Sequence, residues 1–321
     1  MYNVCGRLNI TYPIIQGGMG NISNAPLAAA VSEAGGLGMI GCGTMPASEV
    51  ESIIIETKNL TSEPFGINIA INVTKDVNTM IELAIKHHIP VISLSAGNPA
   101  PYISRLKKEN ICVIVVIASV KHAIKAAAHR VDMLVAEGVE AAGINATSEL
   151  TTFTLIPQIS CAVDIPVLAA GGIGDGKGLA AAMALGASGV QMGTRLIATK
   201  EAPFHETYKT QIIQADATDA VLVGRKTGPL RRVLKTPFIE KLHALEKDGI
   251  STGDYRKLTA ESNHRKGALE GDVENGFMNS GQVAGLITDI PTVNDLFRRM
   301  IEDASRRLET SSHMLQGIVE N

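Results

Sequence analysis

Short apolar segments alternate with longer amphipathic segments along the first 215 residues of the chain. The short segments are rich in Val, Ile and Leu, and they are apolar throughout rather than at every second position. This pattern is typical of strands that are buried on both faces of a parallel sheet. Such strands are predicted at 13–16, 37–41, 65–69, 91–95, 112–116, 133–136, 166–170 and 189–192. Helices are predicted after them at 24–34, 47–58, 77–87, 102–108, 120–129, 151–162, 176–185 and 201–215.

Eight strand–helix units in 215 residues match a TIM (β/α)8 barrel in number and in size. A doubly wound parallel sheet has the same local pattern and is the alternative. Two features favour the barrel. No spaced GxGxxG motif follows the first strand, and glycine-rich turns cluster after the seventh and eighth strands. The predicted fold class is therefore α/β, with residues 1–215 forming the barrel.

The character of the chain changes after Ala215. Residues 216–280 carry more charge and little strand signal, and a helix is predicted at 238–247. We interpret this region as a small helical cap over the active site at one end of the barrel. The alternative is an appendage that only stabilises an oligomer. Residues 281–321 are predicted to be helical again and to pack back on the barrel.

Composition and charge argue against several classes of protein. The chain is 45% hydrophobic and 19% charged, with a net charge of −3. Such a chain folds, and it offers no strongly basic surface for nucleic acid or an anionic membrane. The 4 cysteines have no CxxC spacing, which argues against a disulfide framework or a structural metal. Because neither a signal peptide nor a membrane-length apolar run is found, we expect a cytoplasmic protein.

Glycine-rich turns follow most of the predicted strands, at the ends where a barrel carries its ligand. The turns after the seventh and eighth strands contain Gly171, Gly172 and Gly174, then Gly193 and Thr194. Backbone amides of these two loops, together with a helix N-terminus, form the usual phosphate site of such barrels. A tight turn or a helix end explains each glycine alone, but the two clusters together favour phosphate binding.

Six sequence motifs resemble those of one family of flavin enzymes. They are QGGM at 16–19, AGNP at 96–99, AEGVEAAG at 136–143, AAGGIGDG at 169–176, QMGTR at 191–195 and SGQVAGLI at 280–287. The family contains the nitronate monooxygenases, once called 2-nitropropane dioxygenases, and the FMN-dependent type II enoyl-acyl-carrier-protein reductases. The resemblance implies FMN at the top of a TIM barrel, with a small helical domain closing over the isoalloxazine ring.

The resemblance also implies which residues hold the cofactor. The flavin ring and ribityl chain would contact residues after three of the strands: Gly17, Gly18, Met19, Asn68, Glu137 and Gly143. The QGGM backbone would lie by the ring, and Asn68 would hydrogen-bond its polar edge. Glu137 and Gly143 would lie near the ribityl chain or the ring. The phosphate would be held by Gly171, Gly172, Gly193 and Thr194, and no metal is expected.

One departure from the family concerns catalysis. In well-studied members the turn after the sixth strand continues with Gly-Gly-His, and this histidine acts at the active site. Here Ile144 has the histidine position. Isoleucine cannot accept a proton, so the usual base for a neutral nitroalkane is missing. The catalytic residue is therefore unknown, with Asn145 and Glu149 as weak candidates.

Other polar residues have two interpretations. His243 and His264 of the predicted cap either are solvated or reach over the flavin, and solvation is the preferred interpretation. His122 and His129 fall on a helix that is predicted to lie far from the mouth of the site. The basic segment GRKTGPLRR at 224–232 either faces solvent or attracts an anionic substrate tail.

The sequence thus predicts an FMN-dependent oxidoreductase that oxidises alkyl nitronates, or a similar activated carbanion, with O2. An already ionised nitronate needs no base. The alternative is a reductase of enoyl thioesters or quinones that uses NADH or NADPH, because hydride transfer needs no base either. A flavin-binding subunit without turnover is the second alternative. The expected partners are a small-molecule or thioester substrate and, as an open question, a second copy of the chain.

Overall fold

A computed structural model describes residues 3–319 and contains eleven strands. They are β1 (Ile14–Gln16), β2 (Gly38–Gly41), β3 (Phe65–Ala70), β4 (Val91–Ser95), β5 (Cys112–Ile117), β6 (Met133–Glu137), β7 (Gly143–Ile144), β8 (Val167–Ala170), β9 (Gly189–Met192), β10 (Ala220–Val223) and β11 (Arg231–Leu234). Eight of them form one parallel sheet in the order β1-β9-β8-β6-β5-β4-β3-β2. Leu37, next to β2, pairs with Ile15 of β1, so the sheet closes into a barrel.

Helices cover the outside of the barrel and continue beyond it. They are α1 (Val4–Leu8), α2 (Ala25–Glu33), α3 (Ala47–Leu60), α4 (Val77–Lys86), α5 (Ala100–Lys108), α6 (Val120–Ala128), α7 (Thr152–Ser160), α8 (Gly176–Ala184), α9 (Thr194–Ile197), α10 (Glu206–Gln214), α11 (Pro237–Lys247), α12 (Thr252–Leu258), α13 (Glu261–Glu270) and α14 (Val293–Val319). The predicted TIM barrel is confirmed. Its eight predicted strands and helices are present with small shifts of their ends, the largest being α10, which begins at Glu206 rather than at 201.

Alternate residues of the barrel strands face two different cores. Ile15, Met39 and Ile114 belong to the cluster inside the barrel, whereas their neighbours Ile14 and Ile40 pack in the layer that contains the outer helices. This explains why the strands are apolar at every position. The inner cluster also contains Val4 and Leu8 of α1, a helix that sequence patterning did not predict because five residues are too short to show a period.

The region 216–280 is not purely helical, contrary to the prediction. It begins with an antiparallel hairpin of β10 and β11, in which Val223 pairs with Arg231. Strand β7 joins the hairpin, so that Ile144 pairs with Arg231. These strands escaped the sequence analysis because they have only two to four residues each, and β11 begins with two arginines where the apolar pattern would require Val or Ile. Since β7 lies in the loop after β6, the hairpin is hydrogen-bonded directly to the carboxyl end of the barrel.

The last helix packs on the barrel helices. Gly176 of α8 lies against α14, where a Cβ atom would come within 2.7 Å of the Met300 carbonyl oxygen. Phe297 of α14 makes an edge contact with the ring of Tyr12, with centroids 6.4 Å apart. None of the helices described within 3–319 has the length and apolar character needed to span a membrane.

Candidate active site

A cavity of about 1070 Å³ lies between the carboxyl ends of the barrel strands and the segment that follows the barrel. Loops after β1, β3, β4, β6, β8 and β9 form its barrel wall. The opposite wall consists of side chains from beyond residue 200: Tyr208, Arg231, Glu261, His264, Asn279 and Val283. Ligand pockets usually measure roughly 300–1,000 Å³. The cavity therefore has room for a cofactor and a second molecule.

Ten of the eleven predicted cofactor residues line this cavity. They are Gly17, Gly18, Met19, Asn68, Glu137, Gly143, Gly171, Gly172, Gly193 and Thr194. Gly174 does not line it, because it is buried against the segment after the cap, where a Cβ would come within 2.6 Å of Val283 Cγ2. Its glycine is explained by close packing rather than by ligand contact.

The loop after β1 packs closely on the end of β3. A Cβ atom on Gly18 would lie 2.5 Å from both Cβ and Oδ1 of Asn68, so only glycine fits there. The Asn68 amide nitrogen donates to Ser93 Oγ and Ser95 Oγ, both at 3.2 Å. No donor among the described residues reaches Asn68 Oδ1, which leaves an acceptor at the cavity wall for an N–H group of a bound ring.

Two turns supply backbone amides at the other side of the barrel mouth. Gly171 and Gly172 have φ values of +101° and +76°, which glycine adopts without strain. Gly193 precedes α9, and a Cβ atom built on it meets nothing within 4 Å. The Thr194 hydroxyl accepts a hydrogen bond of 2.9 Å from the Gly281 amide, which ties the turn to the segment after the cap. This main-chain cradle, open toward the cavity, fits the phosphate of FMN.

Glu137 ends β6 with its carboxyl group in the cavity wall. Burial raises its pKa to about 7. It makes no hydrogen bond or ion pair with any side chain in residues 3–319, so both its protonated and its ionised form are accessible near neutral pH. A carboxyl group that can either donate or accept a hydrogen bond suits the hydroxyl groups of the ribityl chain, which the family resemblance places beside Glu137.

Among the residues of the loop after β6 that line the cavity, the ionisable one is Glu140, and its carboxylate accepts hydrogen bonds from the Thr152 amide and hydroxyl at the start of α7. Ile144 lines the cavity and is 39% exposed. Asn145 also lines it, but its amide nitrogen donates to the carbonyl oxygens of Ala141 and Gly143, at 2.9 and 3.0 Å. It therefore holds the loop. Glu149 lies outside the cavity lining and pairs with Arg225.

A cluster of charged and polar side chains from the cap faces the barrel loops, and sequence reasoning did not assemble it. Arg231 Nη2 contacts Glu261 Oε1 at 3.2 Å, and Arg231 Nη1 contacts Asn279 Oδ1 at 3.2 Å. His264 Nδ1 lies 3.5 Å from Glu261 Oε2, and the Asn279 amide nitrogen lies 3.2 Å from His264 Nε2. We call Arg231, Glu261, His264 and Asn279 the cap cluster. The only sequence signal for it was the spacing of Glu261 and His264 on one helical turn.

Electrostatics keep the cap cluster in one charge state at neutral pH. Burial opposes the charge of Glu261, but His264 and Arg231 outweigh this effect and lower the pKa of Glu261 to about 2. Burial lowers the pKa of His264, and Glu261 offsets only part of that shift. The cluster thus holds a carboxylate, a guanidinium and a neutral imidazole.

The remaining candidates differ in position from what the sequence suggested. His243 hydrogen-bonds the Leu222 carbonyl oxygen at 3.2 Å and does not line the cavity. The basic residues of segment 224–232 divide into two pairs: Arg225 and Lys226 are exposed, whereas Arg231 and Arg232 are buried. Arg232 donates to the carbonyl oxygens of Val139 and Ala220.

A basic stripe instead lies along α6. His122, Lys125 and His129 are exposed and line the outer part of the cavity, although the two histidines were predicted to lie far from its mouth. Their spacing places them on one side of the helix. The cavity therefore extends from the main-chain cradle to a rim that carries one lysine and two histidines.

Comparisons with known proteins agree with this site. The family model described as nitronate monooxygenase matches residues 3–303. A 5-hydroxy-7a-methyl-1-oxo-octahydro-1H-indene-4-carboxyl-CoA dehydrogenase of Rhodococcus jostii is 33% identical, over 94% of this chain and 95% of its own. A probable nitronate monooxygenase of Staphylococcus saprophyticus is also 33% identical, over 88% of this chain and 92% of its own.

Two solved structures extend the comparison. FabK from Thermotoga maritima superposes with a TM-score of 0.92 at 39% identity, covering 97% of this chain and 98% of that chain. A nitroalkane oxidase from Streptomyces ansochromogenes superposes with a TM-score of 0.80 at 24% identity, covering 94% of this chain and 98% of that chain. At this identity, the similarity to the nitroalkane oxidase shows a shared fold only.

Proposed function

The chain belongs to the nitronate monooxygenase family and is an oxidoreductase, and from that premise we propose that it uses FMN to reduce the activated double bond of an enoyl thioester. NADH or NADPH supplies the electrons. The nitronate activity that the sequence analysis placed first becomes the second candidate. The change rests on the shape of the cavity.

The extension of the cavity to the basic rim on α6 carries this proposal. A nitronate is a small anion that would use only the space beside the flavin. A coenzyme A thioester is long and has phosphates at the end remote from the acyl group. With the acyl chain beside the loop after β1, such a substrate would direct its phosphates toward Lys125, His122 and His129, which line the outer cavity.

Relatives support the same class of substrate. The Rhodococcus relative is named for a carboxyl-CoA substrate. FabK, an enoyl-acyl-carrier-protein reductase of type II, shares 39% of its residues with this chain over nearly its full length. Both names describe an acyl thioester. The relatives named as probable nitronate monooxygenases are 32–33% identical, as similar as the Rhodococcus relative, so the higher identity supports the thioester class through FabK alone.

The residues of the chain divide the work of binding. The amides of Gly172 and Gly193 would hold the FMN phosphate, and Asn68 Oδ1 would accept from the ring. When bound, FMN supplies two-electron transfer between the pyridine nucleotide and the acyl chain. The side chains opposite the barrel loops close the cavity from above, which excludes water from the reacting carbons.

Anaerobic half-reactions test the proposal. FMN-loaded protein is mixed with NADH or NADPH, and the visible flavin absorbance is followed. A trans-2-enoyl-CoA is then added to the bleached enzyme. We expect bleaching, then recovery of the absorbance, and one saturated acyl-CoA formed per flavin, measured by mass spectrometry. Saturated acyl-CoA is the control and must not restore the absorbance.

Nitronate oxidation is the second candidate because Ile144 provides no base and an ionised nitronate needs none. Bleaching by an alkyl nitronate without any response to NADH or NADPH would select it and overturn the thioester proposal. Retention of FMN without bleaching by either reductant would leave a flavin-binding subunit without turnover.

A further inference from the structure

The cap cluster begins at the position that has lost the family histidine. Ile144 of β7 and Arg231 of β11 are directly paired in the antiparallel ladder. The Arg231 guanidinium contacts Glu261 and Asn279, and both of these contact His264. The His264 side chain is therefore three contacts away from the strand position where the barrel itself offers only isoleucine.

The cluster also faces the barrel loops predicted to contact the flavin ring. A Cβ atom on Gly20, which follows the QGGM motif, would lie 3.6 Å from Glu261 Oε2. One on Gly143 would lie 3.9 Å from the Asn279 amide nitrogen. Both glycines line the cavity, as do Glu261, His264 and Asn279. The polar groups of the cap thus lie next to the barrel loops that are expected to border the flavin ring, and they share the cavity lining with those loops.

The imidazole of His264 is held in a defined orientation. Its ring stacks on Phe277 with centroids 5.3 Å apart and planes 15° apart. Glu261 and the Asn279 amide contact its nitrogens, and Asn279 is itself fixed by Arg231. The Tyr208 hydroxyl donates to the Asn279 carbonyl oxygen, which anchors the backbone of the same residue. A histidine that only filled the core would not need a carboxylate, an amide and a cavity wall around it.

We propose that His264 is the catalytic acid–base residue of this enzyme, exchanging a proton with the α-carbon of the substrate, and that Glu261 is its positioning residue. The proposal rests on the enoyl thioester reaction proposed above. It assigns to the cap the role that the loop after β6 performs in relatives with the Gly-Gly-His sequence.

In reduction, the β-carbon would receive the hydride that reduced FMN supplies when bound, and the electron pair of the π bond would form the new bond between the α-carbon and hydrogen. The α-carbon takes a proton from the His264 imidazolium, and solvent returns a proton to the imidazole. In the reverse direction the neutral imidazole would remove the α-proton, the electron pair left on the α-carbon would form the π bond, and the hydride of the β-carbon would be accepted by oxidised FMN when bound. Glu261 stabilises the imidazolium in both directions, as a carboxylate does for a catalytic histidine in hydrolases.

The charges around His264 determine the pH dependence. Glu261 and Arg231 face it from α13 and β11, and Tyr208 of α10 is the nearest phenol of the cluster. Because reduction requires the imidazolium, its rate should fall as pH rises through the pKa of His264. Because oxidation requires the neutral imidazole, its rate should rise over the same interval. These opposite slopes are a signature that a purely structural histidine would not produce.

The first test compares His264→Gln with His243→Gln in the FMN-loaded protein. His243 is the control, since it lies in the same region but outside the cavity lining. We expect His264→Gln to slow recovery of the flavin absorbance by enoyl-CoA about 10²–10⁴-fold. Bleaching by the pyridine nucleotide should stay within a few-fold of wild type, because it requires no proton at the α-carbon. His243→Gln should leave both half-reactions unchanged.

The second test needs no turnover. With ¹³C-labelled histidine, the NMR signal that disappears in His264→Gln is assigned to His264 and titrated in the protein without FMN. We expect a pKa below that of a free histidine, falling further in Glu261→Gln and returning toward wild type in Glu261→Asp. The descending limb of the reduction profile should shift to lower pH in Glu261→Gln by the same amount.

The outcomes separate the two proposals. If wild-type enzyme bleached by NADH or NADPH is not reoxidised by any enoyl thioester, the proposed function fails. If wild type is reoxidised and folded His264→Gln reacts equally fast, the role of His264 is rejected. Equal pH slopes in the two reaction directions would also reject it.

Discussion

The two ends of the cavity are built by opposite means. At the barrel end, the predicted phosphate cradle consists of main-chain amides in the loops after β8 and β9, and no lysine or arginine is among its predicted residues. At the cap end, Arg231, Glu261 and His264 come from β11 and α13, and each is held by the others. Main-chain sites depend on local backbone conformation, whereas side-chain clusters depend on long-range packing. The cradle therefore suits an invariant cofactor, and the cap cluster suits a reaction that can change.

The largest expected effect is the loss of FMN binding at the barrel end of the cavity. In Gly172→Asp, a carboxylate would stand among the amides that receive the phosphate, and the residue would have to keep a φ of +76°. We expect no FMN to be retained on purification, which absorbance and chromatography of the released flavin will show. Gly249→Asp is the matched control, since Gly249 has a φ of +86° but is exposed, with nothing within 4 Å of its Cβ. Normal flavin content in Gly172→Asp would mean that the phosphate lies elsewhere.

The next largest effect is a loss of stability when the ion pair at the cap end of the cavity is removed. Arg231→Met removes the cation that contacts Glu261 and leaves a largely buried carboxylate without it. The loss of one partner of a buried ion pair costs about 3–5 kcal/mol. Because Glu261 is partly exposed, we expect the free energy of unfolding to fall by ~3 kcal/mol, at the lower end of this range. Urea unfolding measures it. Arg231→Met combined with Glu261→Gln should recover most of the loss, and a double variant as unstable as the single one contradicts the pairing.

Glu137 differs from the other predicted cofactor residues at the barrel end, because it is an ionisable group in the barrel wall. Its pKa is raised to about 7, so the folded protein retains a proton that the unfolded chain releases near pH 4.5. Stability is therefore complete below the unfolded pKa and is lost as pH rises toward 7. We expect Glu137→Gln without FMN to be more stable than wild type by about 3 kcal/mol at pH 8 and equal to it at pH 4. Equal stabilities at both pH values would show that Glu137 is not desolvated.

The smallest effect concerns the rim. Lys125→Glu should lower kcat/KM for an enoyl-CoA about tenfold, or ~1.4 kcal/mol, by repelling its phosphates. With the N-acetylcysteamine thioester of the same acyl chain, which lacks phosphates, the rate should not change. Lys121→Glu, on the same helix but outside the cavity lining, is the control. Equal losses with both thioesters would remove the rim from substrate binding.

Residues 3–319 show how far local patterns reach. The eight barrel strands could be read from the sequence because each is a continuous apolar run, and the loops that follow them carry glycines in recognisable motifs. Nine of the ten cofactor positions in the cavity wall lie in those motifs, and the tenth, Asn68, lies in β3; their contact with FMN stays a prediction. Gly174 was included because a motif does not distinguish a glycine that faces a ligand from one that packs against Val283.

Local sequence patterns alone predicted the barrel, the main-chain cradle and the absence of the usual histidine at position 144. Each of these depends on residues within one loop or one strand–helix unit. The cap cluster, in contrast, is visible only in the tertiary structure. There β11 pairs with β7 and brings Arg231 beside Glu261 and His264. Such contacts depend on strand pairing between segments nearly ninety residues apart (144 and 231), and no local periodicity encodes which partners long-range packing will join.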